Sequence, residues 1–158
     1  MSNRDAAIND WSSRVVEDFV RLFCGELLGN GMSRQVFVLE TDPTKVVKVE
    51  SYSGYFQNVR EWELWKDLGH TKYGKYIAPC VSISPNGSVL VQERVEPITQ
   101  DELRAARLPS FLCDFKASNY GRYKGRIVCC DYGTNLLHHV GAEASKMRRP
   151  PKSSVYTV

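Results

Sequence analysis

A chain of 158 residues, 42% hydrophobic and 25% charged, has the size of one domain with a single core and the composition of an ordinary globular protein. A net charge of +3, with no basic run interleaved with stacking aromatics, excludes a nucleic-acid partner as the expected function. No apolar run is long enough to span a bilayer, and the opening MSNRDAAIND lacks the regions of a secretory signal, so a cytoplasmic chain without membrane contact is expected.

Asp10 or Ser12 stands where it would cap a helix running to about Phe23, with Trp11, Val15, Phe19, Leu22 and Phe23 along one face. This segment, residues 1–24, reads as a packing helix without chemistry of its own. A domain over 25–145 follows, and the basic tail 146–158 reads as disordered. Five cysteines, Cys24, Cys80, Cys113, Cys129 and Cys130, lie in apolar runs without C-x-x-C spacing. They read as small reduced hydrophobes rather than zinc ligands, and His138 and His139 as surface residues.

The domain opens with β structure. Leu27-Leu28 leads into Gly29-Asn30-Gly31-Met32-Ser33-Arg34, and Gln35 to Glu40 alternates polar with apolar as a half-buried strand does. After the turn Thr41-Asp42-Pro43-Thr44, Lys45 to Glu50 reads as a third strand. A glycine pair between two strands lets backbone N–H groups approach phosphate oxygens. From about Tyr55 to Leu68 a helix is expected, with Glu61, Trp65 and Leu68 on one face and Glu63 roughly 200° away. Residues 77–83 and 88–93 read as a hairpin through Ser84-Pro85-Asn86-Gly87. A short helix is expected at Gln100–Ala106.

Two apolar runs then each end in an aspartate. The first, Phe111-Leu112-Cys113, ends at Asp114, with Lys116 and Asn119 following in the spacing D-x-K-x-x-N. After a turn at Lys124-Gly125, the second ends at Asp131-Tyr132-Gly133. Two carboxylates and a carboxamide at the ends of adjacent strands suit phosphoryl transfer. One carboxylate can accept a hydroxyl proton while the amide oxygen and the other carboxylate hold Mg²⁺ against phosphates.

In this order the motifs resemble those of the protein-kinase-like family, over about residues 25–134. Gly29-x-Gly31 with Val36 resembles the G-x-G-x-x-G-x-V loop, with Arg34 in place of the third glycine. Val46-Val47-Lys48 resembles the V-A-I-K strand, Glu61 the αC-helix glutamate, and D-Y-G the metal-binding D-F-G. The compressed form is similar to small kinase-like proteins carried by tailed bacteriophages.

The resemblance implies an α+β fold: an N-lobe of antiparallel sheet plus an αC-type helix, a catalytic-loop hairpin and a strongly reduced C-lobe. It implies ATP and Mg²⁺ as cofactors. Gly29, Gly31, Ser33, Arg34 and Val36 would cover the nucleotide, and Lys48, supported by Glu61, would hold its α- and β-phosphates. Gln92 would guard the back of the pocket, while the Glu93 carbonyl and the Val95 N–H would face adenine. Asp114 would orient or deprotonate the acceptor hydroxyl, Lys116 would neutralise the γ-phosphate, and Asn119 and Asp131 would bind metal.

Departures from the family pattern bear on function. Leu112-Cys113 replaces the His-Arg that precedes the catalytic aspartate, no A-P-E motif follows, and the remaining intervals are too short for a full C-lobe. An active phosphotransferase and a pseudokinase-type regulator that binds nucleotide and docks on a partner protein are both compatible with this set. A structural domain without nucleotide is the third reading. The acceptor would be a small molecule, a protein partner, or the chain itself through Ser153, Ser154 or Tyr156, and an oligomer would cover the truncated side.

Overall fold

Five strands form one antiparallel sheet in the order β1-β2-β3-β5-β4: β1 (Cys24–Asn30), β2 (Arg34–Leu39), β3 (Lys45–Glu50), β4 (Cys80–Ile83) and β5 (Val89–Glu93). The computed structural model describes residues 13–50, 55–137, 141 and 145–151. A tight turn joins β1 to β2, closed by the Gly31 N–H on the Arg34 carbonyl at 2.9 Å. The register places Val38, Val46, Gln92 and Cys80 in one row across the sheet, and Val36, Lys48 and Leu90 in the next. Arg34 pairs with Glu50 at the end of the same face. Strand side chains repeat every second residue, so these rows share one surface.

Helix α2 (Gln57–Leu68) packs on that surface, and its seat is set by polar contacts from the strands; α1 (Ser13–Phe23) precedes the sheet. Phe56, the residue before α2, has φ 50° and gives no side-chain cap. The Glu50 carboxylate takes that role from β3, accepting the N–H groups of Gln57 and Asn58 at 3.1 Å each. A carboxylate there satisfies orphan donors and faces the positive end of the helix dipole. Asn58, fully buried, donates to the carbonyls of Lys48, Gly87 and Ser88 at 3.2, 3.0 and 3.1 Å. The buried stripe is Asn58, Glu61, Leu64 and Leu68, with Trp65 half-buried beside it and Glu63 exposed.

Below the sheet lies a smaller layer. Strands β6 (Glu96–Pro97), β8 (Tyr120–Tyr123) and β9 (Arg126–Cys129) form a three-stranded sheet, and β7 (Leu108–Pro109) pairs with β10 (Met147–Arg148). The short helix α3 (Gln100–Ala105) starts on a capping box between Thr99 and Glu102. One apolar core joins the layers, with Leu64 and Leu68 of α2 meeting Ile77, Leu90, Phe111 and Tyr132. Full burial of each such side chain contributes about 1.5–3 kcal/mol. The α+β class expected from the sequence is the one the chain adopts: an antiparallel sheet with one helix docked between β3 and β4, over a reduced second layer.

Two expectations need correction. The basic tail expected from residue 146 includes β10, whose Arg148 donates to the Leu112 carbonyl at 3.2 Å and lies 5.4 Å over the Phe115 ring. A strand of two residues has no period to read, so sequence could not distinguish it from a tail. In α1, Phe19 and Leu22 are exposed rather than packed on the domain, although the Phe19 and Phe23 rings meet at 4.7 Å. Trp11, the cap candidates Asp10 and Ser12, the side chain of Val15, His138, His139, Ser153, Ser154 and Tyr156 lie outside the described residues. The five cysteines are free, with Cys80 and Cys129 buried. Among the described residues no helix is long and apolar enough to cross a membrane.

After α2 the chain folds back so closely that a Cβ on Gly74 would overlap the Gly69 carbonyl oxygen. That obstacle is backbone and cannot swing aside. Gly74→Ala is expected to cost about 1–3 kcal/mol, read in thermal unfolding as a fall of roughly 2–10 °C. An unchanged Tm would contradict this packing of the turn.

Candidate active site

Lys48 projects from the middle of β3 onto the face that α2 covers. Its Nζ meets the Glu61 Oε2 at 2.7 Å and also donates to the Cys130 carbonyl. The other Glu61 oxygen, Oε1, accepts from the Arg34 guanidinium and, at 3.2 Å, from the Tyr132 N–H. Arg34 reaches further, to the Asp131 Oδ1 at 2.7 Å and the Asn58 Oδ1 at 3.1 Å. The sheet, the helix and the D-Y-G segment therefore converge on one carboxylate. Its side chain is 0% exposed, against 7% for Arg34 and 48% for Asp131.

Burial pushes the Glu61 carboxyl upward, but Lys48 and Arg34 outweigh it and hold the group below its ordinary value. Asp131 goes the other way: burial and the nearby Glu61 charge raise it, with Arg34 and Lys48 offsetting only part. Burial opposes the Arg34 charge, yet Glu61 and Asp131 keep the guanidinium firmly protonated. Cys130, next to Asp131, is pushed up to about 11 by burial, which leaves its thiol protonated and unreactive near neutral pH.

Asp114, Lys116 and Asn119 form a second cluster. Asp114 has φ 53°, a left-handed conformation that aspartate tolerates better than most residues. Asn119 donates through Nδ2 to the Asp114 carboxylate at 2.8 Å and to its carbonyl at 3.2 Å. The Lys116 ammonium lies 3.2 Å from the same carboxylate. The Asn119 carbonyl accepts the N–H groups of Cys130 and Asp131 at 2.8 and 3.3 Å, which joins this cluster to the first.

Gln100 brackets the loop: its Nε2 donates to the Phe115 carbonyl at 3.0 Å, and its Oε1 accepts the Ala117 N–H at 2.9 Å, one residue either side of Lys116. Sequence reasoning passed over Gln100, which carries no signal beyond a place in the first turn of α3.

The remaining candidates line the sheet and the link that follows β5. Gly29 and Gly31 have no positive φ, and a Cβ on either would meet its nearest neighbour at 3.9 and 3.4 Å. The fold does not itself demand glycine at these two places. Ser33 is half-buried in the turn, and Val36 faces the cleft side in the row of Lys48. Gln92 is fully buried, its Nε2 lying 3.8 Å from the Cys80 Sγ, while its Oε1 has no hydrogen-bond partner among the described residues. The Glu93 N–H is bonded to the Pro79 carbonyl at 2.9 Å.

A concavity of about 320 Å³ involves Glu93 and Val95, but Thr44 and Tyr123 complete its wall rather than Lys48 or Asp131. The side-chain clusters define the site.

Arg34 ends the glycine turn with its carbonyl, while its side chain turns to the covered face of the sheet. It is the first residue of β2 and points inward with Val36 and Val38. The alternation of that strand, carried back one step, was the available signal. For Mg²⁺ the donor chemistry fits: Asn119 and Asp131 offer oxygen ligands, and the ion takes few protein donors when phosphates and water complete its shell. Among the described residues no group of three or more His, Cys, Asp or Glu side chains forms a metal cage.

Among solved structures, similarity is found to APH(2″)-IIa, in a ternary complex with streptomycin and ATP and in a complex with gentamicin. Each has a TM-score of 0.41 and 21% identity over 61% of this chain and 33% of the other. The chain thus spans about a third of the length of those proteins. No family model and no curated protein matches the sequence.

Glu61→Gln keeps the shape but removes the anion shared by Lys48 and Arg34, a change that typically costs about 3–5 kcal/mol at a buried pair. Because the folded pKa of Glu61 lies below its unfolded value, its stabilisation is present above the ordinary glutamate range and is lost as pH falls through the folded pKa. Urea unfolding from neutral to acid pH should therefore show a lower plateau and a flatter acid limb in Glu61→Gln. Wild-type stability and pH dependence in the variant would contradict the pairing.

Proposed function

We propose that this domain binds a Mg²⁺-nucleoside triphosphate, ATP by the family resemblance, and transfers its γ-phosphate to a hydroxyl acceptor. One observation carries the reading. Lys48 pairs with Glu61, Arg34 links Glu61 to Asp131, and main-chain bonds from Cys130 and Asp131 reach Asn119, whose side chain holds Asp114. Lys48 would hold the α- and β-phosphates, with Glu61 fixing the direction of its ammonium. Gly29 and Gly31, at positions where the fold tolerates a side chain, leave backbone free for close approach to phosphate. Ser33 and Val36 would border the nucleotide. Gln92 would guard the back of the pocket, and the Glu93 carbonyl and the Val95 N–H would face the base.

Asn119 and Asp131 would hold Mg²⁺, which when bound supplies positive charge against the phosphates. Asp114 would accept the acceptor's proton as the new oxygen–phosphorus bond forms and the β–γ bridge breaks to release the diphosphate. Lys116, beside Asp114, would neutralise charge on the transferring group. The small layer below the sheet leaves the acceptor open: a small molecule, a docked protein or the chain itself.

A second reading, a nucleotide-binding regulator acting through a partner protein, is favoured by the Arg34 contact, which sets a guanidinium on the carboxylate assigned to metal. Transfer of label from γ-³²P-ATP separates the two. Asp114→Asn should reduce transfer, to the chain or to water, by about 100-fold or more, the usual scale for loss of a general base, while nucleotide affinity stays the same. Undiminished transfer would contradict the role of Asp114, and tight nucleotide binding without any transfer by wild type would favour the regulator.

A further inference from the structure

Arg34 is a buried cation for which the proposed chemistry has no use. Its guanidinium bonds at once to Asn58, Glu61 and Asp131, and its side chain is 7% exposed. The anchor on the far side is firm, since Asn58 is itself held by three backbone carbonyls. Asp131 is the looser partner, 48% exposed at the mouth of the cluster. A guanidinium and a divalent cation on one carboxylate compete for its lone pairs and repel each other. Glu61 would keep Lys48 if Arg34 were replaced, so the carboxylate at the centre would not be left without a cation.

We propose that Arg34 is a built-in counter-cation that competes with divalent metal for Asp131 and so sets the metal affinity of the site. The inference rests on the reading of Asp131 as a metal ligand. Metal alone would then bind weakly, because it must displace a fixed charge. Metal arriving with a nucleotide would bind better, because the phosphates add negative charge that both cations can share.

Mn²⁺ binding to the full chain, followed by electron paramagnetic resonance with and without ADP, tests this. Arg34→Gln is expected to bind Mn²⁺ about tenfold tighter or more without nucleotide, a modest share of what adjacent unit charges exert at a partly exposed site. The difference should narrow with ADP. Equal or weaker binding by the variant would overturn the inference while leaving the metal reading intact.

A measurement on wild type guards against a variant that fails to fold. The Arg34 guanidinium resonance should shift as Mg²⁺ is added with ADP, and a resonance that stays fixed while metal binds would overturn the inference. If Mn²⁺ binds neither protein although ADP does, the assignment of Asp131 as a metal ligand fails, and this inference with it.

Discussion

The carboxylate of Glu61 has both oxygens engaged and no contact with solvent. Lys48 holds one oxygen, while Arg34 and the Tyr132 N–H hold the other. An isolated charge in that place would cost several kcal/mol, so every donor has to arrive in position for the fold to tolerate it. The donors come from β2, β3 and the D-Y-G segment, and the acceptor comes from α2. Glu50 and Asn58 fix the near end of that helix to the strands, which sets the rotation that aims Glu61 inward. The requirement that one buried charge be matched thus orients four elements at once.

From this centre a continuous path of bonds reaches the candidate base. Lys48 donates to the carbonyl of Cys130, the Cys130 N–H donates to the carbonyl of Asn119, and the Asn119 amide donates to Asp114. The main chain of residue 130 is the bridge, through its carbonyl on one side and its N–H on the other, and its thiol, kept protonated by burial, is a bystander. Gln100 and Arg148 steady the same loop from outside by holding the carbonyls of Phe115 and Leu112. The residue that would hold phosphates and the residue that would accept a proton are therefore parts of one backbone framework rather than independent surface groups.

Much of this was legible in the sequence, where local period and spacing carry the information. The resemblance of Val46-Val47-Lys48 to V-A-I-K picks out Lys48, the helical period separates Glu61 from Glu63, and D-x-K-x-x-N groups the residues that meet around Asp114. The inward contacts of Arg34 are hidden when it is read only as part of a loop motif, although the strand period puts its side chain inside. Its Asp131 partner lies 97 positions away, a distance at which no local pattern speaks. The pairing of β7 with β10 was hidden for a similar reason, since each strand has two residues and gains its stability from tertiary contacts alone.

Thermal unfolding of the purified chain with and without ATP and Mg²⁺, with Asp131→Asn alongside, tests the central claim most directly. Ligand at about a hundred times its dissociation constant should add roughly 2.7 kcal/mol, a rise of roughly 5–10 °C for a chain of this size. A rise that depends on Mg²⁺ and shrinks in Asp131→Asn is the result predicted for a nucleotide seated between Lys48 and Asp131. No rise at millimolar ATP would contradict it.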